Sequence, residues 1–285
     1  RHALVMMVGT FASRILGLAR EIVTAALFGA SSQLDAFYVA YTLANLSRQM
    51  LAEGALSAAF VPVFSQSLVQ RGKEKASHLA RQALWILLVA GTAVVFAGVI
   101  LSPFLVKIMA PGFDSVKASL AISMTQWMFP FLILVSLAAL AMGVLNSLDS
   151  FFVPAIAPAL SNVVYLLILF FAASRLGIWT LIIAVLAGGV CQMVLQWVWS
   201  AWNGVLLLPE KPNSRDPELR KMMKLFFPYA AGLSLNQINP VISRVLGSFL
   251  QDGAISVLNY ANRVIQLPLG LFVIAISQAV LPELS

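Results

Sequence analysis

The chain has 285 residues, 60% hydrophobic and 10% charged, with a formal net charge of +7. Soluble domains carry about 25% charged residues, so the composition excludes one and reads as a polytopic membrane protein. The apolar runs are about twenty residues long, which is the length of a spanning helix and excludes the short alternating strands of a barrel.

The pattern predicts an all-α fold with eight spanning segments, near 3–28, 34–65, 80–104, 119–146, 152–174, 178–203, 220–250 and 254–282. The first run exceeds a signal peptide and contains arginines, so it reads as a spanning helix; the missing initiator Met suggests a trimmed start. The second is long, and Gly54 and Pro62 are expected to interrupt it. The loop after it, QRGKEKASHLAR, is basic, and so is the linker LPEKPNSRDPELRKMMK. Both are even-numbered connections on one side. The opposite connections are short or weakly basic; Lys107 and Lys117 there are partly offset by Asp114. The positive-inside rule then places both termini of this multi-pass protein in the cytoplasm. That bias and a few buried cations account for the net charge without nucleic acid. The lone Cys191 excludes an internal disulfide and reads as a buried thiol.

The linker divides the chain into a six-helix lobe at 1–204, a connection at 205–219 and two further helices at 220–285. AFVPVFS closes the second segment and AVLPELS the eighth. The echo suggests a repeat restarting at the seventh segment, hence a piece of a longer transporter.

Charges inside the spans carry the functional signal. Along FASRILGLAREIVT at 100° per residue, with Arg14 at 0°, Arg20 falls at about 240°, Glu21 at about 340° and Gly17 at about 300°. All polar side chains from Thr10 to Thr24 share one third of the circumference, so Arg14 and Arg20 are expected to flank Gly17 and face one space. Asp35, Tyr38, Tyr41, Asn45 and Arg48 form one face of the second segment, with Gln49 and Glu53 beside it. Asn259, Asn262, Arg263 and Gln266 share a face in the eighth; Arg244 lies on a polar face of the seventh.

A cation at the bilayer centre costs about 2.5–3.5 kcal/mol. The intramembrane acids are too few to offset these arginines, so a water-filled, positively walled cavity with an anionic ligand is expected. Guanidinium forks suit phosphate oxygens. Plainer readings stand beside this one. Arg20 and Arg244 could snorkel, Asp35 could cap its own helix, and Glu53 could serve a helix break. The methionines and Trp197, Trp199 and Trp202 read as packing and an interfacial belt. His2 and His78 lack metal-ligand spacing, and no nucleotide or hydrolase motif is present. The reading is a non-enzyme without cofactor or metal, driven by an ion or voltage gradient.

The strings SRILGLAREIVTAALFGASSQLDAFYVAY, AEGALSAAFVPVF, APGF and NYANRVIQLPLG resemble the MurJ (MviN) family of lipid II flippases, in the multidrug/oligosaccharidyl-lipid/polysaccharide (MOP) exporter superfamily. The resemblance runs through the whole chain. It implies a lobe of six helices plus the start of a second lobe, and translocation of an undecaprenyl-pyrophosphate-linked peptidoglycan precursor by alternating access. It carries the family's cationic cavity onto Arg14, Arg20, Arg48 and Arg263. The acidic positions map onto Asp35 and Glu53, which with Glu21 are gating or ion-pair candidates expected to meet the arginines. Asn45, Gln49, Asn259, Asn262, Gln266 and Arg244 form a secondary polar lining. Two departures from the family pattern are Gln49, where many members have a second basic residue, and Asn262, where many have an acid. Partners implied are lipid II or a similar polyprenyl-pyrophosphate lipid, membrane lipids and cell-wall synthesis proteins. The rivals are an exporter of another polyprenyl-linked saccharide or of a cationic drug, and a non-transporting scaffold.

Overall fold

The computed structural model describes residues 2–48, 56–213, 215–234 and 238–268. Ten helices make up the described residues: α1 (His2–Phe28), α2 (Ser32–Arg48), α3 (Ser57–Met109), α4 (Ser115–Met128), α5 (Phe131–Ser147), α6 (Phe152–Leu176), α7 (Trp179–Trp202), α8 (Pro217–Ser234), α9 (Ile238–Ser248) and α10 (Ala254–Pro268). Four stretches are long and apolar enough to span a membrane by length and composition, within α3, α4–α5, α6 and α7. The other predicted spans carry the charged faces, which lower their apolarity, or run into residues outside those described.

The helix breaks differ from the sequence reading at three places. Pro62 does not interrupt its segment but lies inside α3, where a spanning helix tolerates the lost backbone bond. Gly54 lies outside the described residues. The basic loop after the second segment is helical: α3 continues through it, with Gly72 alone non-helical at φ 82° and ψ 171°. Its Lys, Glu, Ala and Gln residues are good helix formers, and only glycine takes that backbone cheaply. The fourth segment breaks between α4 and α5 at Phe129 and Pro130, where Pro130 occupies the N-cap of α5. Asp114 caps α4 by accepting from the Lys117 backbone N–H at 2.7 Å.

Two apolar cores share the structure. One joins α2, α4 and the facing ends of α6 and α7 around Leu34, Met124, Leu169 and Leu181. The other joins α3 and α5 to the linker around Phe60, Phe64, Leu140 and Val205. The linker is strapped along α3: Glu210 N–H donates to Arg81 O at 3.2 Å and Asn213 N–H to Gln82 Oε1 at 3.1 Å. This defines a linker end of the bundle. The opposite, far end carries the loops at 29–31, 110–114 and 249–253.

In lipid, apolar burial alone gives little preference for one helix partner over another. Small residues and polar bonds decide instead. A Cβ on Gly9 of α1 would lie 2.7 Å from Ala155 of α6, and one on Gly188 of α7 would lie 2.6 Å from Ser161 Oγ. Cys191 is half-buried on α7 rather than buried, since the chain's apolar helices leave much of their surface for lipid.

Candidate functional site

Gly9, Ser13 and Gly17 recur every four residues along α1, a small-residue stripe that lets another backbone approach. They face α6. Asn162 Nδ2 donates to Ser13 O at 3.2 Å, and a Cβ on Gly17 would lie 3.8 Å from Asn162. The polar arc of α1 therefore does not open on a single space. Its middle is covered by α6, and the two arginines at its edges diverge: Arg14 is exposed, whereas Arg20 turns inward, its side chain 17% exposed.

Arg20 lies in an aromatic corner. Its guanidinium carbon is 4.9 Å from the Tyr165 ring centroid and 6.0 Å from that of Tyr41. Such stacking is worth about 0.5–2 kcal/mol as the site dries. Thr24 sits behind it, its hydroxyl bonded to Arg20 O at 2.8 Å and 3.4 Å from the Tyr165 hydroxyl. Arg20 does not snorkel, because these rings and Glu21 compensate it locally.

Glu21 is the hub. Its carboxylate accepts from Arg20 Nη2 at 3.3 Å, the Tyr38 hydroxyl at 3.0 Å and Asn259 Nδ2 at 3.3 Å. Arg263 Nε lies 3.6 Å away as an ion pair. One buried acid thus gathers α1, α2 and α10. Arg263 finds in Glu21 the partner that Asn262, itself exposed, does not supply. A cleft of about 250 Å³ beside the hub is lined by Arg20, Glu21, Thr24, Tyr38, Tyr41 and Tyr165. Much of that space is open to the surroundings; the enclosed part has room for about one water and no large headgroup.

Arg244 does not snorkel either. Its Nε donates to Thr42 Oγ1 at 3.0 Å and its Nη2 to Asn259 Oδ1 at 3.1 Å.

Asp35 forms a second buried centre at the far end. Sequence reasoning expected it to cap its own helix or to meet arginines. It caps α10 instead: it accepts from Gly253 N–H at 2.7 Å, Ser256 N–H at 2.8 Å and the Ser256 hydroxyl at 2.7 Å. Its cationic partner is Lys117 at 2.9 Å, which also reaches Asp252 at 2.8 Å. The arginines lie deeper in the bundle, and the far end supplies a lysine and the positive end of a helix dipole. Around this centre Tyr260 donates to Gly29 O at 3.0 Å, and Gly112 N–H donates to Ser248 Oγ at 3.1 Å. The two halves of the chain are sealed there.

Gln49 and Glu53 lie outside the described residues, as do the side chains of Arg48 and Gln266. Asn45 is half-buried on α2. His78 bonds Glu210 in the linker strap at 2.9 Å. Trp197 and Trp199 pack through bonds to Leu137 O at 3.4 Å and Ser150 Oγ at 3.1 Å. Sequence reasoning missed three positions: Lys117, read as a loop charge, and Tyr165 and Asn162, which were not singled out. The four-residue stripe on α1 was the available signal for the last.

The bundle, its sealed far end and its buried arginines can now be set beside known proteins. The family profile described as lipid II flippase MurJ matches residues 24–285. The chain belongs to the MurJ family. A probable lipid II flippase MurJ of Rhizobium tropici is 36% identical over 284 residues, covering 97% of this chain and 53% of that protein. The lipid II flippase MurJ of Burkholderia cenocepacia is 36% identical over 283 residues, covering 97% and 55%. The chain thus spans about half the length of the curated relatives it matches. A solved MurJ in an inward closed conformation superposes with a TM-score of 0.82 at 28% identity, covering 98% of this chain and 58% of that one. An inward-facing multidrug MATE transporter of the MOP superfamily gives 0.67 at 16% identity over 94% of this chain and 62% of its own, which shares the fold alone. The chain is therefore a multi-pass membrane protein of the MurJ family, all-α among the described residues, with the fold that the solved MurJ and the MATE transporter share.

Proposed function

We propose that this chain is the first lobe and the beginning of the second lobe of a flippase. Its cargo is lipid II, carried from the cytoplasmic to the outer leaflet of a bacterial inner membrane. Residues 1–204 are the first lobe, 205–219 a cytoplasmic linker and 220–285 the start of the second; the basic linker puts the N-terminus in the cytoplasm. The cargo's pyrophosphate is gripped by Arg20 and Arg263, with Arg14 and Arg48 as further cavity cations. Its polyprenyl tail stays in lipid.

The observation that carries this reading is the sharing of one buried carboxylate. Arg20 and Arg263 both lean on Glu21, with side-chain exposures of 17% and 44%. Two cations on one buried anion leave a unit of positive charge at the hub, so a second anion is stabilised there. A pyrophosphate presents several oxygens to two guanidinium forks. Glu21 then acts as the counter-anion when cargo is absent, and the far-end seal holds the empty transporter open only toward the linker side. Alternating access exchanges that seal for one at the linker end. No bond in the cargo is made or broken, and no cofactor enters. An ion or voltage gradient supplies the drive, and cell-wall synthesis proteins are the expected neighbours.

The test is Arg263→Ala in the full-length protein, expressed in cells depleted of their own flippase, with labelled lipid II counted in the outer leaflet. The expected result is a fall of roughly tenfold or more, the loss of one charge-assisted anion contact of about 1.5–3 kcal/mol. Translocation at the parent rate would overturn the reading.

A further inference from the structure

Arg244 has no part in the grip described above, yet it is among the most connected side chains at mid-bundle. It lies on α9 and reaches two other helices. Toward α2, its Nε donates to Thr42 Oγ1 at 3.0 Å, and its guanidinium carbon lies 5.6 Å from the Tyr38 ring centroid. Toward α10, its Nη2 donates to Asn259 Oδ1 at 3.1 Å and its Nη1 to Ile255 O at 3.4 Å. The Thr42 hydroxyl donates to Tyr38 O at 2.7 Å, which leaves its lone pairs for Arg244. The two side chains Arg244 holds, Tyr38 and Asn259, both donate to the same Glu21 oxygen.

We propose that Arg244 is a positioning residue that braces the two lobes in the far-end-closed state and keeps Tyr38 and Asn259 aimed at Glu21. The inference rests on the alternating-access reading. Helices α9 and α10 belong to one lobe and α2 to the other. When the far end opens, the contacts to Asn259 and Ile255 persist, and those to Thr42 and Tyr38 break. Arg244 is thus bonded permanently on one side and reversibly on the other. The planar fork is what permits this; a lysine offers one point charge and cannot serve both helices at once. Apolar contact gives little preference between lobe arrangements in lipid, so a few polar bonds at mid-bundle bias the equilibrium strongly.

The experiment is double electron–electron resonance on the full-length protein in lipid nanodiscs. Spin labels go at Gln33→Cys and Gln251→Cys, both exposed at the far end, in a Cys191→Ser background. In Arg244→Gln the long-distance, far-end-open population is expected to rise by roughly threefold or more. Thr42→Val, which leaves the arginine in place, moves the distribution the same way. The double variant matches Arg244→Gln alone, because the Thr42 bond is already lost in that variant. Arg244→Lys falls between. If Arg244→Gln proves too unstable to purify, Thr42→Val alone decides. Distance distributions unchanged from the parent, or shifts that sum in the double variant, overturn the brace. A residue needed only for folding would lower the melting temperature and leave the ratio of populations alone, which also overturns it. Failure here is distinct from failure of the flippase reading, which is decided by whether Arg263→Ala still translocates lipid.

Discussion

Glu21 and Asp35 are both buried carboxylates, 7% and 1% exposed, and both reach α10. Their partners differ in kind. Glu21 is held only by side chains, at 3.0 to 3.6 Å. Asp35 is held by two backbone N–H groups, a hydroxyl and a lysine, at 2.7 to 2.9 Å. Side chains change rotamer without moving a helix, so the partners of Glu21 can be released one by one to an incoming anion. Backbone donors at a helix start leave only when the helix leaves. The first arrangement suits ligand exchange and the second suits a gate. In our proposal one acid is an internal stand-in for cargo, and the other is a latch between lobes.

The largest effect expected from breaking this contrast is at Asp35. Asp35→Ala leaves Lys117 with only the exposed Asp252 and bares the start of α10, and losing one partner of a buried ion pair costs up to about 3–5 kcal/mol. A steep fall in the thermal melting point of the purified protein is expected, with a smaller fall for Asp35→Asn. An unchanged melting point would remove Asp35 from the seal.

Next is Gly253, which has φ +88° and whose added Cβ would lie 2.6 Å from Ala30 O. Gly253→Ala should weaken the far-end seal by about 1–3 kcal/mol, seen as faster labelling of a buried far-end cysteine. Gly177→Ala is the control. It also has positive φ, but nothing lies within 4 Å of the added atom, so labelling should not change.

Glu21→Gln keeps a hydrogen-bond acceptor and removes the competing charge. A pyrophosphate lipid is expected to bind about tenfold more tightly, ~1.4 kcal/mol, and to be released more slowly. Equal or weaker binding in an equilibrium assay would mean that Glu21 does not compete with cargo. The smallest effects are at Tyr165. Tyr165→Leu removes the ring above Arg20 and should cost about 1 kcal/mol of binding. Tyr165→Phe keeps the ring, loses only the long contact to Thr24, and should bind within about twofold of the parent.

Helix positions were legible because each span needs a long apolar run, and the polar residues stood out against it. The partners of those residues were less legible. Glu21 lies 238 residues from Asn259, and Asp35 lies 82 from Lys117; helical periodicity reports a face and not what covers it. The arc on α1 illustrates this. Arg14 and Arg20 were expected to face one space across Gly17, whereas α6 packs over the middle of that arc. Lys117 was counted only as a loop charge partly offset by Asp114. Asp114 uses its carboxylate on the Lys117 backbone, which frees the ammonium for Asp35. The break at Pro130 and the helical turns around Gly72 were missed for a local reason: apolarity sets span length, while backbone geometry sets where a helix bends.

The central claim is that Arg20 and Arg263 hold a pyrophosphate. Native mass spectrometry of the full-length protein, titrated with undecaprenyl-pyrophosphate-linked saccharide and with neutral undecaprenol, tests it most directly. In the Arg20→Ala/Arg263→Ala variant the charged lipid should lose affinity by roughly tenfold or more, while undecaprenol binds as in the parent. Equal affinity for the charged lipid in parent and variant would contradict the account.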